Sequence, residues 1–121
     1  MATKKLPKTV RQLRDLTLGE RLIVGRRRKD LSQTDAATRC RVSLFRFRKW
    51  EDDVEEPKAS ALTKLPVSGA LKPGERCFLM RRRAGLSLKQ VSTKTGITVN
   101  ALSQIETGKH DAAELLRFWK L

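Results

Sequence analysis

The chain has 121 residues, with 27 Lys or Arg against 13 Asp or Glu and a formal net charge of +14 at pH 7. This excess of positive charge favours a polyanionic partner over an acidic small molecule. One histidine and two cysteines are too few for a zinc site, and no apolar run is long enough for a membrane span or a secretory signal.

The chain begins with a basic segment. Residues 1–15 are predicted to form an arm that contains Lys4, Lys5 and Lys8, followed by a short helix that Thr9 caps. No part of the chain alternates with the period of two that strands need. The predicted fold class is therefore all α.

A first group of short helices follows the arm. The predicted helices span residues 18–29, 33–40, 44–50 and 58–65. Ser32 and Ser43 are the N-caps of the second and third helices, because a hydroxyl there accepts a hydrogen bond from an unpaired amide of the first turn. Pro66, Gly69, Pro73 and Gly74 are interpreted as chain breakers, and residues 66–70 are predicted to be a linker.

A second group of helices follows the linker. Predicted helices span residues 88–95 and 99–105, with Ser87 and Thr98 as their N-caps, and Asp111 caps a last helix that runs to the end of the chain. Gly96 lies in the turn between the first two of these helices. The turn needs a left-handed backbone there, which glycine adopts without steric cost.

The two groups are related by an internal repeat. With a shift of 55 residues and no gap, residues 19–53 align with residues 74–108, and ten of the thirty-five positions are identical, where chance gives roughly two or three. The repeat indicates a duplicated unit. Cys40 and Cys77 fall at apolar positions of its register, which predicts reduced core residues.

Each repeat contains two helices joined by a short turn, the second capped by Ser or Thr and ending in an apolar residue followed by Glu, which is typical of a helix-turn-helix. At these positions the chain resembles the lambda-repressor and Cro-like (XRE) family twice. The first repeat carries Leu31, Ser32, Gln33, Ala37, Val42, Ser43, Phe47, Trp50 and Glu51, and the second carries Leu86, Ser87, Gly96, Ile97, Thr98, Leu102, Ile105, Glu106, Thr107 and Gly108.

The resemblance implies two tandem domains of four to five short helices each, at residues 16–65 and 71–121. It also implies a structural ion pair in each domain between an Arg of the first helix and the Glu that ends the third. These pairs are Arg26 with Glu51 and Arg81 with Glu106, both 25 residues apart. Leu102, Ile105, Phe47 and Trp50 are expected in the cores.

The third helix of each domain is expected to enter the major groove with its N-terminal turn foremost. In the second domain the base-reading candidates are Val99, Asn100, Ser103 and Gln104, because Asn and Gln pair with adenine and Val covers a thymine methyl. In the first domain they are Leu44, Phe45, Arg46 and Lys49. Leu44 and Phe45 fit a protein contact surface equally well, so both interpretations stay open.

Phosphate contacts are expected from cap hydroxyls, from the start of the second helix and from exposed cations. The candidates are Gln33, Ser43, Thr98, Lys89, Lys109, Arg27, Arg28, Arg82 and Arg83. A plain solvated face is the alternative for the four arginines. Binding through phosphates should weaken steeply with added salt.

Two departures weaken the comparison for the first domain. Arg41 stands in the turn where the family favours Gly, which strains or moves the turn. The acidic segment, residues 51–56, has five acidic residues in six where the family has Gly and a basic loop near the DNA backbone. This segment either turns into solvent or docks on a basic surface, such as Arg81 to Arg83 or a second copy of the chain.

These features favour a sequence-specific DNA-binding regulator of transcription that binds double-stranded DNA, with a compact phage or mobile-element repressor as the simplest form. The alternative is an antitoxin-like or coactivator-like adaptor, in which one domain binds DNA and the other binds a protein or a second copy through Leu44, Phe45 and the acidic segment. An enzyme has little support, because there is one His and no paired nucleophile and base. We expect a cytoplasmic protein without a cofactor.

Overall fold

The computed structural model describes residues 8–121, and these contain helices and no strand. The predicted all-α class is confirmed. A 3-10 turn at Leu13–Asp15 precedes eight α-helices: α1 (Leu18–Arg28), α2 (Gln33–Arg39), α3 (Leu44–Glu51), α4 (Ala59–Lys64), α5 (Pro73–Ala84), α6 (Leu88–Thr95), α7 (Val99–Glu106) and α8 (Ala113–Trp119). No helix among these residues is both long and apolar enough to span a bilayer.

The chain divides into two compact units. The first unit, residues 16–69, packs α1 against α3 and α4, and α2 against α3. Its core contains Leu22, Phe47, Trp50 and Leu65, all at most 1% exposed. Phe47 and Trp50 are therefore core residues, as the helical periodicity predicts.

The second unit consists of residues 70–121 together with residues 8–15. Helix α5 packs against α7 and α8, and α6 packs against α7, around a core that includes Cys77, Leu102, Ile105 and Leu115. Burial, helped by the nearby Glu106 carboxylate, raises the pKa of the Cys77 thiol to about 12. The thiol is protonated at neutral pH, which suits a core residue. Cys40 is only half-buried.

The short helix before α1 is the 3-10 helix Leu13–Asp15, which begins four residues after Thr9, so the prediction that Thr9 caps it is wrong. The backbone amides of Arg11 and Gln12 both donate to Asp15 Oδ2, at 3.0 Å each. A carboxylate that binds amides three and four residues earlier holds the chain in a tight turn, which leads into this 3-10 helix. Val10 is fully buried and its amide lies 3.3 Å from Met80 Sδ. Of the basic arm, Lys4 and Lys5 lie outside the described residues.

Two further expectations are corrected in the second unit. Asp111 does not cap the last helix, because Ala112 is buried in the core and takes the N-cap position without a side-chain hydrogen bond. Pro73 and Gly74, interpreted as chain breakers, begin α5. Proline fits the first helical turn because its missing N–H would have no intrahelical partner there.

The turns of the two units correspond residue by residue. Helices α1, α2 and α3 begin at residues 18, 33 and 44, and α5, α6 and α7 begin 55 residues later at 73, 88 and 99. Gly96 is left-handed as predicted, with φ +79°, and Arg41 has φ +60° at the same register position. The turn of the first unit therefore lies at the same register position as that of the second, and Arg41 adopts the strained left-handed conformation there.

Replacing Arg41 with glycine is expected to stabilise the first unit by about 0.5 to 1 kcal/mol, because the relief of left-handed strain exceeds the extra chain entropy of glycine. The reciprocal change Gly96→Arg should destabilise the second unit by about 1 kcal/mol. Native-state hydrogen exchange, resolved for each unit by mass spectrometry, measures both effects. A lower stability of the Arg41→Gly variant would contradict the presence of left-handed backbone strain at residue 41.

Candidate nucleic-acid interface

The second unit presents a pair of capped helices joined by a tight turn. Ser87 Oγ accepts from the Gln90 amide, and the Gln90 side chain accepts from the Ser87 amide, at 3.1 and 2.8 Å. This reciprocal box fixes the start of α6. Gly96 then reverses the chain, and Thr98 Oγ1 accepts from the Ala101 amide at 3.2 Å to begin α7.

Helix α7 has one buried and one exposed face. Leu102, Ile105 and Glu106 are buried, as the sequence predicts for the first two. Val99, Asn100, Ser103 and Gln104 are exposed, with Val99 at 41%. The structure therefore brings the four base-reading candidates together on one exposed face. In the described part of the chain, the side-chain amides of Asn100 and Gln104 have no hydrogen-bond partner, so their donors and acceptors are available.

A buried ion pair fixes α7 to α5. Arg81 Nε and Nη2 donate to the two carboxylate oxygens of Glu106 at 2.8 and 2.9 Å, while Arg81 Nη1 donates to the Leu86 carbonyl at 3.0 Å. One guanidinium thereby joins the first helix, the loop before the second and the end of the third. Two parallel hydrogen bonds to a carboxylate also fix orientation.

A family model described as a helix-turn-helix domain matches residues 79–118. This part of the chain is therefore similar to a helix-turn-helix domain. The match begins within α5, contains α6 and α7, and ends within α8. A domain of this kind indicates a DNA-binding regulator. No curated protein and no solved structure matches the chain.

The first unit contains the equivalent ion pair. Arg26 Nε and Nη2 donate to Glu51 Oε2 and Oε1 at 2.7 and 3.4 Å, and Arg26 Nη1 donates to the Leu31 carbonyl at 3.1 Å. This arrangement matches that in the helix-turn-helix domain atom for atom. It explains why Arg26 and Arg81, Leu31 and Leu86, and Glu51 and Glu106 are identical in the repeat.

The exposed face of α3 is already engaged, in contrast with that of α7. Arg46 donates from Nε and Nη2 to Glu55 Oε1 at 3.2 and 2.9 Å. Lys49 Nζ lies 4.6 Å from the centroid of the Phe45 ring. Phe45 is 70% exposed, whereas Leu44 is half-buried. The side-chain heads of Phe45, Arg46 and Lys49 thus all have partners within the unit.

Gln33, a phosphate candidate, is also engaged. Its Nε2 donates to Glu51 Oε1 at 2.7 Å, and its Oε1 accepts from Arg48 Nε at 3.3 Å. Gln33 therefore extends the Arg26–Glu51 pair to Arg48 on the surface. Sequence reasoning did not identify this network, and the only signal for it is that Leu88 stands at the corresponding position of the second unit.

The remaining phosphate candidates lie in different environments. Ser43 and Thr98 are exposed N-caps whose oxygens accept backbone amides, which leaves each hydroxyl proton to donate. Lys89 and Lys109 are exposed. The four arginines Arg27, Arg28, Arg82 and Arg83 are half-buried, and Arg28 and Arg83 donate to the carbonyls of Ser68 and Asp15 at 2.8 and 2.6 Å. Within the second unit, Arg82 and Arg83 lie on α5 and not on α7.

The acidic segment is anchored to its own unit. Asp53 has φ +58°, and its carboxylate accepts from the Thr17 hydroxyl and the Gly19 amide at 2.6 and 2.9 Å. Glu55 binds Arg46, and the amides of Val54 and Glu55 donate to the Lys49 carbonyl. The segment thus folds back on the end of α3 and caps α1. Sequence reasoning identified its charge but not these attachments.

Proposed function

We propose that the chain is a sequence-specific regulator of transcription that reads the major groove of double-stranded DNA with α7, with a compact repressor of phage or mobile-element type as its simplest form. The observation that carries this proposal is the face of α7 within the helix-turn-helix domain. The unpartnered amides of Asn100 and Gln104 lie beside the exposed Val99 side chain. Such a face offers bidentate contacts to adenine and an apolar contact to a thymine methyl.

Phosphate binding would hold α7 in register. Thr98 at the start of α7, Lys89 on α6 and Lys109 after α7 are exposed near the ends of the helix pair. Contacts of this type orient a protein on the duplex without reading its sequence. The net charge of +14 supports a strong electrostatic component, so affinity should fall steeply with salt.

We further propose that the first unit is a second copy of the same domain whose surface has diverged. Support comes from the constant shift of 55 residues between the helices, from the equivalent ion pairs and from the equivalent N-caps. The reading faces share no residue. Glu55, which binds Arg46, would repel phosphate, and this favours the adaptor alternative, in which only α7 reads DNA.

The two forms of the proposal, a tandem reader of DNA and an adaptor, assign different roles to Arg46 and Lys49. In a tandem reader, replacing both residues with alanine in the full chain weakens DNA binding and lowers its salt dependence. In the adaptor, the same replacement leaves the affinity of one chain for a single half-site, and the salt dependence of that affinity, unchanged. A gel-shift titration at several salt concentrations measures the difference, with Gln104→Ala as the positive control.

Gln104→Ala is expected to relax preference at one base pair of the operator, at a cost of about 1 to 3 kcal/mol, because one bidentate contact is lost. Selection of bound sites from random duplexes, followed by titration of single-base variants, measures it. Lys89→Ala is the matched control, since losing a phosphate contact weakens all sequences alike and lowers the salt slope by about 1. Uniform weakening by Gln104→Ala would remove this residue as a base reader.

A further inference from the structure

The first unit has an exposed apolar surface next to the acidic segment. Phe45 is 70% exposed and Val54 is 72% exposed, whereas the other exposed large hydrophobic side chains of the described residues, Leu18, Val99 and Phe118, are 37 to 41% exposed. Exposed aromatic and aliphatic groups of this kind are typical of protein contact sites. Core packing therefore does not explain why Phe45 and Val54 occupy these exposed positions.

Contacts along α3 make these residues one continuous patch. Lys49 stands one helical turn after Phe45 and lies over its ring, 4.6 Å from the centroid. The amides of Val54 and Glu55 donate to the Lys49 carbonyl at 2.9 and 3.3 Å, and Glu55 binds Arg46 beside Phe45. We name Phe45, Arg46, Lys49, Val54 and Glu55 the α3 patch.

The chemistry of the α3 patch disfavours DNA as its occupant. Glu55 holds Arg46 at 2.9 Å, and Asp52 and Glu56 are exposed on either side of Val54 and Glu55. A phosphate backbone brought against this surface would meet carboxylates. A protein with both apolar and basic groups would instead find a matching surface.

We propose that the α3 patch binds a second copy of this chain. The patch carries an apolar centre, a basic side formed by α3 and an acidic side formed by the segment that follows it. Two such surfaces related by a twofold axis place the basic side of each copy against the acidic side of the other, because an isologous interface pairs the same patch with itself. A partner of a single sign of charge would leave one side unmatched.

The dimer would give the first unit its role. It joins two chains, and each chain contributes one α7. The proposed dimer forms through the α3 patch whether or not the chain binds DNA. Its consequence, an operator of two inverted half-sites, rests on the proposed function, because a twofold protein matches a palindromic site.

Sedimentation velocity of the full chain, from about 1 to about 200 µM, tests the proposal, since this range brackets micromolar dimers. The wild-type chain should shift from monomer to dimer with concentration. Phe45→Ala should weaken self-association at least about tenfold, as the loss of a central aromatic anchor does. Phe118→Ala, which removes an exposed aromatic group from the second unit, is the matched control and should leave it unchanged.

Charge reversal adds a test that misfolding cannot imitate. Lys49→Glu makes both sides of the patch acidic, and the double variant Asp52→Lys with Glu56→Lys makes both sides basic. Each variant should be monomeric alone, and an equimolar mixture should form a heterodimer, because opposite signs then meet on both sides. Circular dichroism verifies that each variant is folded.

A wild-type chain that stays monomeric up to about 200 µM would overturn the proposal, as would undiminished association of Phe45→Ala or a reversed pair that does not combine. Binding of the Phe45→Ala monomer to a single half-site tests the proposed function separately. If dimers form and neither protein binds DNA, the proposed function fails and the α3 patch does not.

Discussion

Glu106→Ala is expected to lower the free energy of unfolding of the second unit by about 3 to 5 kcal/mol, the range for breaking a buried ion pair by removing one partner. Glu106 is 6% exposed and accepts two hydrogen bonds from Arg81, whose side chain is 19% exposed. Without the carboxylate, the guanidinium keeps only the Leu86 carbonyl as a hydrogen-bond acceptor among the contacts of this pair. Its charge then remains in a desolvated position.

Hydrogen exchange of α5 and α7 in the native full chain measures this loss unit by unit. Arg81→Ala and the double variant complete a double-mutant cycle, which isolates the coupling between the two side chains. Glu114→Ala on the exposed side of α8 is the control, and it should change stability by less than about 0.5 kcal/mol. A coupling energy close to zero would mean that the pair does not join α5 to α7 in solution.

The helix pattern and the caps could be predicted from the sequence because they depend on neighbouring residues. Ser32, Ser43, Ser87 and Thr98 cap the helices assigned to them, since a cap hydroxyl bonds an amide only three residues later. Helix ends agree within one or two residues for the same reason. Thr9 failed as a cap because Asp15 supplies a competing acceptor for the same stretch of backbone.

Partners that are distant in the sequence were less predictable. The pairing of Arg26 with Glu51 came from family resemblance and not from any local rule. Asp53, which binds Thr17 and Gly19, had no such guide. Its interactions join residues more than thirty positions apart, and composition shows only that the segment is acidic. The exposed face of α7 was predictable because helical periodicity separates it from Leu102 and Ile105.

The difference between the two exposed faces arises from one structural feature. In the first unit the acidic segment turns back along α3 and provides Glu55 to Arg46. In the second unit the chain after α7 has Thr107, Gly108 and Lys109, and the Thr107 hydroxyl donates to the Ser103 carbonyl at 2.9 Å. This tight ending leaves the side chains of Asn100 and Gln104 uncovered. The difference in this short segment therefore changes which side chains each unit exposes on its third helix.

Gly74→Ala is expected to destabilise the second unit by about 2 kcal/mol or more, as overpacking at a rigid contact does. A Cβ at Gly74 would overlap the Ile105 carbonyl oxygen and would lie 3.2 Å from that of Glu106. Both atoms belong to the backbone at the end of α7, so no flexible side chain can move aside. The first turn of α5 must separate from α7, which also misplaces the helix that is proposed to read DNA.

The sign of this effect is the decisive observation. Gly74 lies in a helix, where alanine is favoured over glycine by roughly 0.5 to 1 kcal/mol when no contact intervenes. Helix propensity alone therefore predicts that Gly74→Ala stabilises the unit, and close packing predicts the opposite.

Gly19→Ala should likewise destabilise the first unit, since its Cβ would lie 2.5 Å from the Trp50 carbonyl oxygen. Gly96→Ala, with no heavy atom within 4 Å of its Cβ, measures the cost of left-handed strain alone, about 1 kcal/mol. If hydrogen exchange shows α5 and α7 more protected in Gly74→Ala, the close approach is absent in solution, and the identity of Gly19 and Gly74 in the repeat needs another explanation.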